Sequence, residues 1–448
     1  MTTSLFLLIV VLLISCLLIF HSYRKVKDFF HPKVFVVGYF LLTSVPYLFM
    51  IACNPESFHN STSVLLSLKV TPDNAISNYL LIQLLYFLCL YAGMSFSKKQ
   101  NNNNMAKSRI AIDNLYISMM FRWTLIVSVV CFIMFYFTNG GLINILSQFS
   151  SGERSKLVTE SLFSHVLFMS LPILAALTQC MYIIKRFKKG ICALILGYCL
   201  FVSSLSGGRG GSLTIIIIVL AISNYMGFKL RIKHFVKYSF LLILIIPFFV
   251  LLPKLRSIDI DVVMENPTLL LEKDRTQKSN SIEQWADLSR AYIPIFIVDY
   301  FDVSNFWYGR SFQDLFQGLI PRAFFEDKPP VDDGRYIFRL AIGDHSFVPS
   351  IPAKQFVGGS SWPPRTLGSW YANFGVLGII IAAIIMGRIY IHFYNKIYEN
   401  LFYLLLYPSV LFLQLSNLGI VNFCIHVIVL YSLLLLSKIF YKRRVAPK

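Results

Sequence analysis

The chain has 448 residues, of which 56% are hydrophobic and only 14% are charged. A soluble protein of this length needs far more polar surface, so the composition excludes an aqueous globular protein and indicates a membrane protein. The net charge of +19 does not indicate nucleic-acid binding, because the basic residues stand in short clusters between apolar runs.

Long apolar runs dominate the chain from its first residues. Runs of about 17 to 25 apolar residues suit a bilayer core of about 30 Å at 1.5 Å rise per residue. They predict an all-α polytopic membrane protein with about eleven transmembrane helices. The predicted spans are 4–21, 34–53, 76–96, 115–138, 161–184, 191–206, 212–227, 236–253, 368–387, 400–416 and 420–438.

The spans divide the chain into three predicted regions. Residues 1–253 form a transmembrane bundle of about eight helices, residues 254–367 form one long polar loop with short interfacial helices, and residues 368–448 hold the last spans and a basic tail. Every second short connector is rich in Lys and Arg. The positive-inside rule therefore places the tail in the cytoplasm, and the N-terminus and the long loop outside.

Two kinds of chemistry are not predicted. The eight cysteines all stand in or beside apolar runs, which indicates packing rather than disulfides or a metal site. The chain has no P-loop and no HExxH motif, so we predict no metal and no cofactor.

The stretch SSLSGGRGGS, residues 203–212, connects two predicted spans on the outer side. A glycine-rich turn before a helix offers free backbone N–H groups, and Ser212 is placed to cap that helix. The guanidinium of Arg209, together with Gly210, Gly211 and Ser212, predicts an anion site suited to a diphosphate. The alternative is a tight hairpin with an interfacial arginine.

The stretch GLIPRAFFEDKPPVDDGR, residues 318–335, lies inside the long loop. Arg322 and Lys328 are candidate diphosphate ligands, and Asp327, Asp332 and Asp333 are nearby carboxylates. Prolines restrict the backbone between these charges. The alternative is a solvated loop surface, whose ion pairs contribute little stability.

Three further features stand in or beside the loop. Arg365, where the chain returns to the membrane, is a third candidate anion ligand. His345 is a candidate general base, because histidine is the side chain that ordinarily titrates near neutral pH. The run YIPIFIVDYFDV, residues 292–303, predicts a helix lying on the membrane with Asp299 and Asp302 on its polar side.

Taken together, the many spans, the SGGRGG turn, the loop motif IPRAFFEDKP and the motif LGSWYANFGVLG resemble the Wzy-type polymerases. These are the oligosaccharide repeat-unit polymerases of O-antigen and lipopolysaccharide biosynthesis. The chain lacks the paired arginine–glycine motifs described in some members, so a two-motif division of labour is not implied.

The resemblance implies a GT-C-like polymerase/ligase architecture in the bacterial inner membrane, with the long loop in the periplasm. It implies a glycosyltransferase that joins undecaprenyl-diphosphate-linked oligosaccharides, with the lipid diphosphate as leaving group. Arg209, Arg322 and Arg365 would bind the diphosphate. His345 and the three loop carboxylates are candidate bases. The partners are the lipid-linked oligosaccharides, the bilayer and a polysaccharide chain-length regulator, and no nucleic acid.

Two other functions stay open from the sequence. An O-antigen ligase uses the same donor and shares the long outer loop. A flippase or other carrier for the lipid-linked unit should instead show charges inside its spans and internal repeats, and this chain shows neither pattern clearly.

Overall fold

The computed structural model describes residues 2–61, 67–96, 114–141, 144–145, 162–205, 209–227, 281–318, 329–350 and 361–445. Over these residues every regular element is a helix. The all-α prediction is therefore confirmed for the described part of the chain. In chain order the α-helices are α1 (Thr3–Val26), α2 (Pro32–Thr43), α3 (Val45–Cys53), α4 (Pro72–Ser95), α5 (Asn114–Thr138), α6 (Leu162–Ile183), α7 (Lys189–Ser204), α8 (Arg209–Tyr225), α9 (Ser281–Ser289), α10 (Tyr292–Tyr300), α11 (Arg310–Gly318), α12 (Asp333–Ala341), α13 (Arg365–Lys396), α14 (Leu401–Val410) and α15 (Asn417–Val445).

Six of these helices, α1, α4, α5, α6, α13 and α15, are long and apolar enough to cross a membrane. The pair α2 and α3 bends by 46° and makes a seventh if it is one span. This confirms a membrane protein with six to seven candidate spans. The shorter apolar helices α7, α8 and α14 fall at three other predicted spans, and the predicted span 236–253 lies outside the described residues.

The chain forms two compact units built from discontinuous segments. The first unit comprises Met1–Lys99, Thr276–Tyr394 and Leu413–Phe423, and the second comprises Gln100–Arg275, Asn395–Phe412 and Cys424–Lys448. In the first unit, α1 packs against α2 and α4, and α10 packs against α4. In the second unit, α6 packs against α5, α7 and α8. The described part of the long loop belongs to the first unit.

Contacts within the first unit bring several helix ends to one side. Asp73, in the first turn of α4, accepts hydrogen bonds from the backbone N–H groups of Thr3 (3.2 Å) and Ser4 (3.0 Å). The hydroxyl of Thr2 donates to the carbonyl of Ala52 near the end of α3 (2.7 Å). The start of α1, the end of α3 and the start of α4 therefore lie together, as alternating spans require.

The prediction of a surface helix at 292–303 is wrong. Helix α10 is buried from Tyr292 to Val298, because a helix that is apolar on all sides needs cover on all sides. Asp299, near its end, accepts backbone hydrogen bonds from Lys69 (2.5 Å) and Val70 (3.3 Å). The long loop is thereby tied to the connector before α4.

Helix α13 is broken at Gly375, whose φ of 59° and ψ of −142° are not helical. The break frees the carbonyls of Ala372 and Asn373, which would otherwise accept from the N–H groups four residues later. The N–H groups of Trp307 (2.9 Å) and Tyr308 (3.0 Å) donate to these carbonyls instead. Beyond the break, residues 376–396 are about 31 Å long, which matches the thickness of a bilayer core.

Below the break, α13 crosses α4 at two glycines. A Cβ at Gly387 would lie 2.4 Å from the carbonyl oxygen of Leu90, and one at Gly93 would lie 2.6 Å from the carbonyl oxygen of Ile384. Small residues allow helices in membranes to approach this closely. This crossing holds α13 against α4.

Candidate functional site

Helix α12 begins at the two adjacent carboxylates that the sequence places in the loop. Asp332 caps the helix by accepting from the N–H of Gly334 (3.0 Å) and also accepts from the hydroxyl of Ser361. The carbonyl of Gly334 accepts from the N–H of Trp362 (3.0 Å). A Cβ at Gly334 would lie 2.7 Å from the Trp362 carbonyl carbon, so only glycine lets these segments pack together.

Asp333 turns inward at the same point and is only 1% exposed. Its Oδ2 accepts from the hydroxyl of Ser369 in α13 (2.6 Å), and its Oδ1 accepts from the side-chain amide of Asn417 in α15 (3.0 Å). One carboxyl group therefore joins the long loop to two membrane helices.

A second buried carboxylate, Asp314, lies on α11. It accepts from the hydroxyl of Tyr336 (3.1 Å), and from both the N–H and the hydroxyl of Ser350 (3.1 Å each). These bonds hold α11 against α12 and against the loop that follows α12. Asp314 was not among the residues predicted from the sequence.

Two side-chain amides bond to Ser311 at the start of α11, and one of them, that of Asn417, also bonds to Asp333. The side-chain amide of Asn417 also donates to the carbonyl of Ser311. The side-chain amide of Asn373 donates to the hydroxyl of Ser311 (2.8 Å), and its oxygen accepts from the N–H of Gly309 (3.1 Å). We call Ser311, Asp314, Asp333, Tyr336, Ser350, Ser369, Asn373 and Asn417 the carboxyl cluster.

Four helices begin at this cluster, namely α11, α12, α13 and α15. The N-terminal end of a helix carries a partial positive charge, which favours nearby carboxylates. Burial has the opposite effect and raises the pKa of Asp333 to about 7, helped by the negative charges of Asp332 and Asp314 and opposed by the Ser369 hydrogen bond. Burial also raises the pKa of Asp314. Asp333 can therefore take up or release a proton near neutral pH.

The cluster retains one unused acceptor. The side-chain oxygen of Asn417 is buried and has no hydrogen-bond partner among the described residues. Buried polar atoms in proteins are almost always hydrogen-bonded. This oxygen lies on the side chain that also donates to Asp333, so it can accept from an O–H or N–H group that the described residues do not supply.

Arg365 lies at the start of α13, one helical turn before Ser369. Its φ of 57° is in the left-handed region, which costs a non-glycine residue about 1–3 kcal/mol. It is half-buried, and no carboxylate of the described residues forms an ion pair with it. The guanidinium lies in the neighbourhood of Tyr79 in α4. The structure thus brings Arg365 and Asp333 to the same end of α13.

The structure does not bring His345 into the carboxyl cluster. His345 is exposed, and its ring stacks on Tyr300 (5.7 Å between centroids) with Nδ1 3.0 Å from the tyrosine hydroxyl. Lys69 lies over the same tyrosine ring and pairs with Asp302 at 2.6 Å. Residues of the long loop and of the connector before α4 thus form a surface cluster that is separate from the carboxyl cluster.

Several other predicted site residues lie wholly or partly outside the described residues. Arg322, Asp327 and Lys328 lie outside the described residues, as does the side chain of Arg209. Helix α8 begins at Arg209, so Gly210, Gly211 and Ser212 form its first turn. The prediction that Ser212 caps this helix is therefore wrong, because the helix starts three residues earlier.

Ser212 nevertheless keeps a feature of interest at this helix start. Its side chain is buried, and its hydroxyl has no hydrogen-bond partner among the described residues. Gly210 is exposed, with no atom within 4 Å of where a Cβ would stand. The first turn of α8 therefore has open space beside Gly210.

Sequence reasoning missed Asp314, Ser369, Asn373 and Asn417. A signal for Asn373 was present, because an amide side chain in an apolar membrane run is costly unless it is paired, whereas Asn417 stands between two predicted spans. Nothing in the sequence shows that Asn373 and Asn417, far apart in the chain, meet at Ser311.

We compared the chain with protein-family models, with curated proteins and with solved structures, and none of the three comparisons found a match. The resemblance to the Wzy-type polymerases therefore depends on the sequence motifs alone.

Proposed function

We propose that this protein is a membrane glycosyltransferase that polymerises undecaprenyl-diphosphate-linked oligosaccharide repeat units. The observation that carries the proposal concerns the side-chain amide of Asn417, whose nitrogen donates to Asp333 while its buried oxygen has no hydrogen-bond partner among the described residues. A group that donates an O–H to Asn417 would lie beside a carboxyl group whose pKa is about 7. In glycosyl transfer the acceptor sugar carries several hydroxyls, so one can donate to Asn417 while a neighbouring one, the attacking hydroxyl, gives its proton to Asp333.

The role proposed for Asp333 is general base. A base works best when its pKa lies near the operating pH, and Asp333 meets this condition where an ordinary aspartate would not. Because Asp333 is buried, the acceptor reaches it only if α12 or residues 361–364 move when substrate binds. His345 remains the alternative base, at the surface.

The role proposed for Arg365 is to bind the leaving diphosphate. Departure of the lipid diphosphate develops negative charge, and a preorganised guanidinium stabilises that charge. Arg365 suits this role because no described carboxylate neutralises it. Arg209 and Arg322 are proposed as further diphosphate ligands from the sequence, with Lys328 and the first turn of α8.

The membrane arrangement completes the proposal. Together with α7, α8, α14 and the predicted span 236–253, the candidate spans would give about eleven crossings in a GT-C-like architecture. The basic connectors would lie in the cytoplasm, and the carboxyl cluster would face the periplasm of the bacterial inner membrane.

The test is the banding of surface polysaccharide on a gel, in a strain that lacks the wild-type protein. The strain carries Asp333→Asn, Arg365→Ala, Arg209→Ala or Arg322→Ala at matched protein levels. Arg310→Ala is the matched control, since Arg310 is an exposed arginine of the same loop. We expect the four variants to leave the lipid A core with a single repeat unit, and the control to give a full ladder.

The outcomes separate the candidate functions. A single repeat unit on the core means that polymerisation is lost while flipping and ligation continue. If no repeat unit reaches the core, the protein acts in ligation or transport and the polymerase proposal fails. Full ladders from Asp333→Asn and Arg365→Ala would remove both residues from the mechanism.

A further inference from the structure

Helix α11 is amphipathic in an unusual way, because its buried side is polar. Ser311 and Asp314 are fully buried in the carboxyl cluster, whereas Phe316 is 74% exposed. In a water-soluble loop the opposite arrangement is expected, with the aromatic ring buried and the carboxylate exposed. The exposed phenylalanine is therefore placed to contact an apolar environment outside the protein.

The exposed half of α11 is itself divided into two faces. Phe312 and Phe316 lie one turn apart on one face, and Arg310 and Gln313, both exposed, lie on another. At 100° per residue the two faces point about 110° apart. A helix at a membrane boundary has this pattern, with one exposed face toward lipid and one toward water.

The phenylalanine face of α11 continues directly into the outer surface of the span in α13. The ring of Phe312 stacks on that of Phe374 (6.1 Å between centroids) and contacts Trp370 (5.0 Å). Phe374 is exposed and stands directly before the break at Gly375, and beyond the break an exposed apolar stripe runs down the helix at four-residue spacing, through Leu377, Ile381 and Ile385. In a spanning helix such a stripe faces lipid.

We infer that α11 lies in the outer interface of the bilayer, with Phe312 and Phe316 in contact with membrane lipid and Arg310 and Gln313 in water. Lipid is the occupant because the face is continuous with the lipid-facing stripe of α13. Trp370, whose indole N–H donates to the carbonyl of Leu415 (2.7 Å), stands at the junction, where tryptophan is favoured at membrane boundaries.

This inference does not depend on the reaction proposed above. The inference fixes the depth of the carboxyl cluster in the membrane. Asp314 lies between Phe312 and Phe316 in sequence, and its side chain bonds within the cluster. The cluster then lies at the edge of the hydrocarbon layer rather than high in the aqueous loop.

The experiment places a photoreactive benzoylphenylalanine at single positions of the full chain, in nanodiscs of phosphatidylethanolamine and phosphatidylglycerol. The three substitutions are at Phe316, at Gln313 as the matched control on the same helix, and at Leu377 as the lipid-facing reference. After irradiation, mass spectrometry measures lipid adducts. We expect Phe316 to match Leu377 and to give several-fold more lipid adduct than Gln313.

Equal lipid adduct at Phe316 and Gln313 would overturn the inference, as would adducts at Phe316 to a second protein copy. If the bulky probe prevents folding at Phe316, then Phe316→Trp and Gln313→Trp replace it. Brominated lipid should then quench the added fluorescence, relative to wild type, only for Phe316→Trp. If brominated lipid quenches neither added tryptophan, the inference is also wrong.

Discussion

Gly375→Ala tests whether the break in α13 holds the long loop against the membrane helices. Alanine at a φ of 59° and ψ of −142° is strained by about 1–3 kcal/mol. Its Cβ would also lie 2.6 Å from the Phe306 ring, and such overpacking costs about 1–3 kcal/mol. We expect Gly375→Ala to destabilise the protein by about 2–6 kcal/mol.

The two contributions can be measured separately. Phe306→Leu removes the ring atoms that a Cβ at position 375 would meet, so it should relieve the overpacking but leave the backbone strain. In the Phe306→Leu background the cost of Gly375→Ala should therefore fall by about half. Gly197→Ala is the control, because a Cβ there has no atom within 4 Å.

The assays are thermal unfolding in nanodiscs and amide hydrogen exchange. Exchange should accelerate at Trp307 and Tyr308, because their N–H groups donate to the carbonyls that the break exposes. A Gly375→Ala protein within about 0.5 kcal/mol of wild type, with unchanged exchange at both amides, would refute the reasoning. A loss of stability without faster exchange would show that the break matters for α13 but not for docking of the loop.

Two further predictions concern stability. Because the pKa of Asp333 is raised, the folded state between about pH 4 and 7 holds a proton that the unfolded state has released. The free energy of unfolding of the wild type should therefore fall by up to about 4 kcal/mol as the pH rises through this range. The stability of Asp333→Asn should not show this fall, and a fall parallel to that of wild type would contradict the assignment. Asp302→Asn is the control, because the hydrogen bonds from Lys69 and Ser304 hold the pKa of Asp302 well below its usual range. Its stability should therefore differ from that of wild type by a constant amount from about pH 5 to 8. Gly387→Ala should lower the thermal unfolding midpoint. Its Cβ would lie 2.4 Å from the backbone of α4, and such overpacking costs about 1–3 kcal/mol. Equal midpoints for Gly387→Ala and Gly197→Ala would show that this crossing is not tightly packed.

The sequence predicted the local features well where a single segment carries the physics. Apolar runs located α1, α4, α5, α6, α13 and α15, because burial of a long helix in lipid depends on its own composition. It also named Asp332 and Asp333 as candidate bases and Arg365 as a candidate anion ligand, without showing that they lie at one end of α13. The surface helix at 292–303 was wrong, because composition cannot distinguish a helix covered by lipid headgroups from one covered by α4.

What the sequence determined by itself is that this chain is a helical membrane protein with one long polar loop. That follows because the number and length of apolar runs set how much of the chain lipid must cover. Only the tertiary structure decided that Asp314, Asn373 and Asn417 join Asp333 in one buried cluster, and that His345 does not. A hydrogen bond needs its two atoms within about 3 Å, and residues as distant as Ser311 and Asn417 reach that distance only through the packing of α11 on α13 and α15.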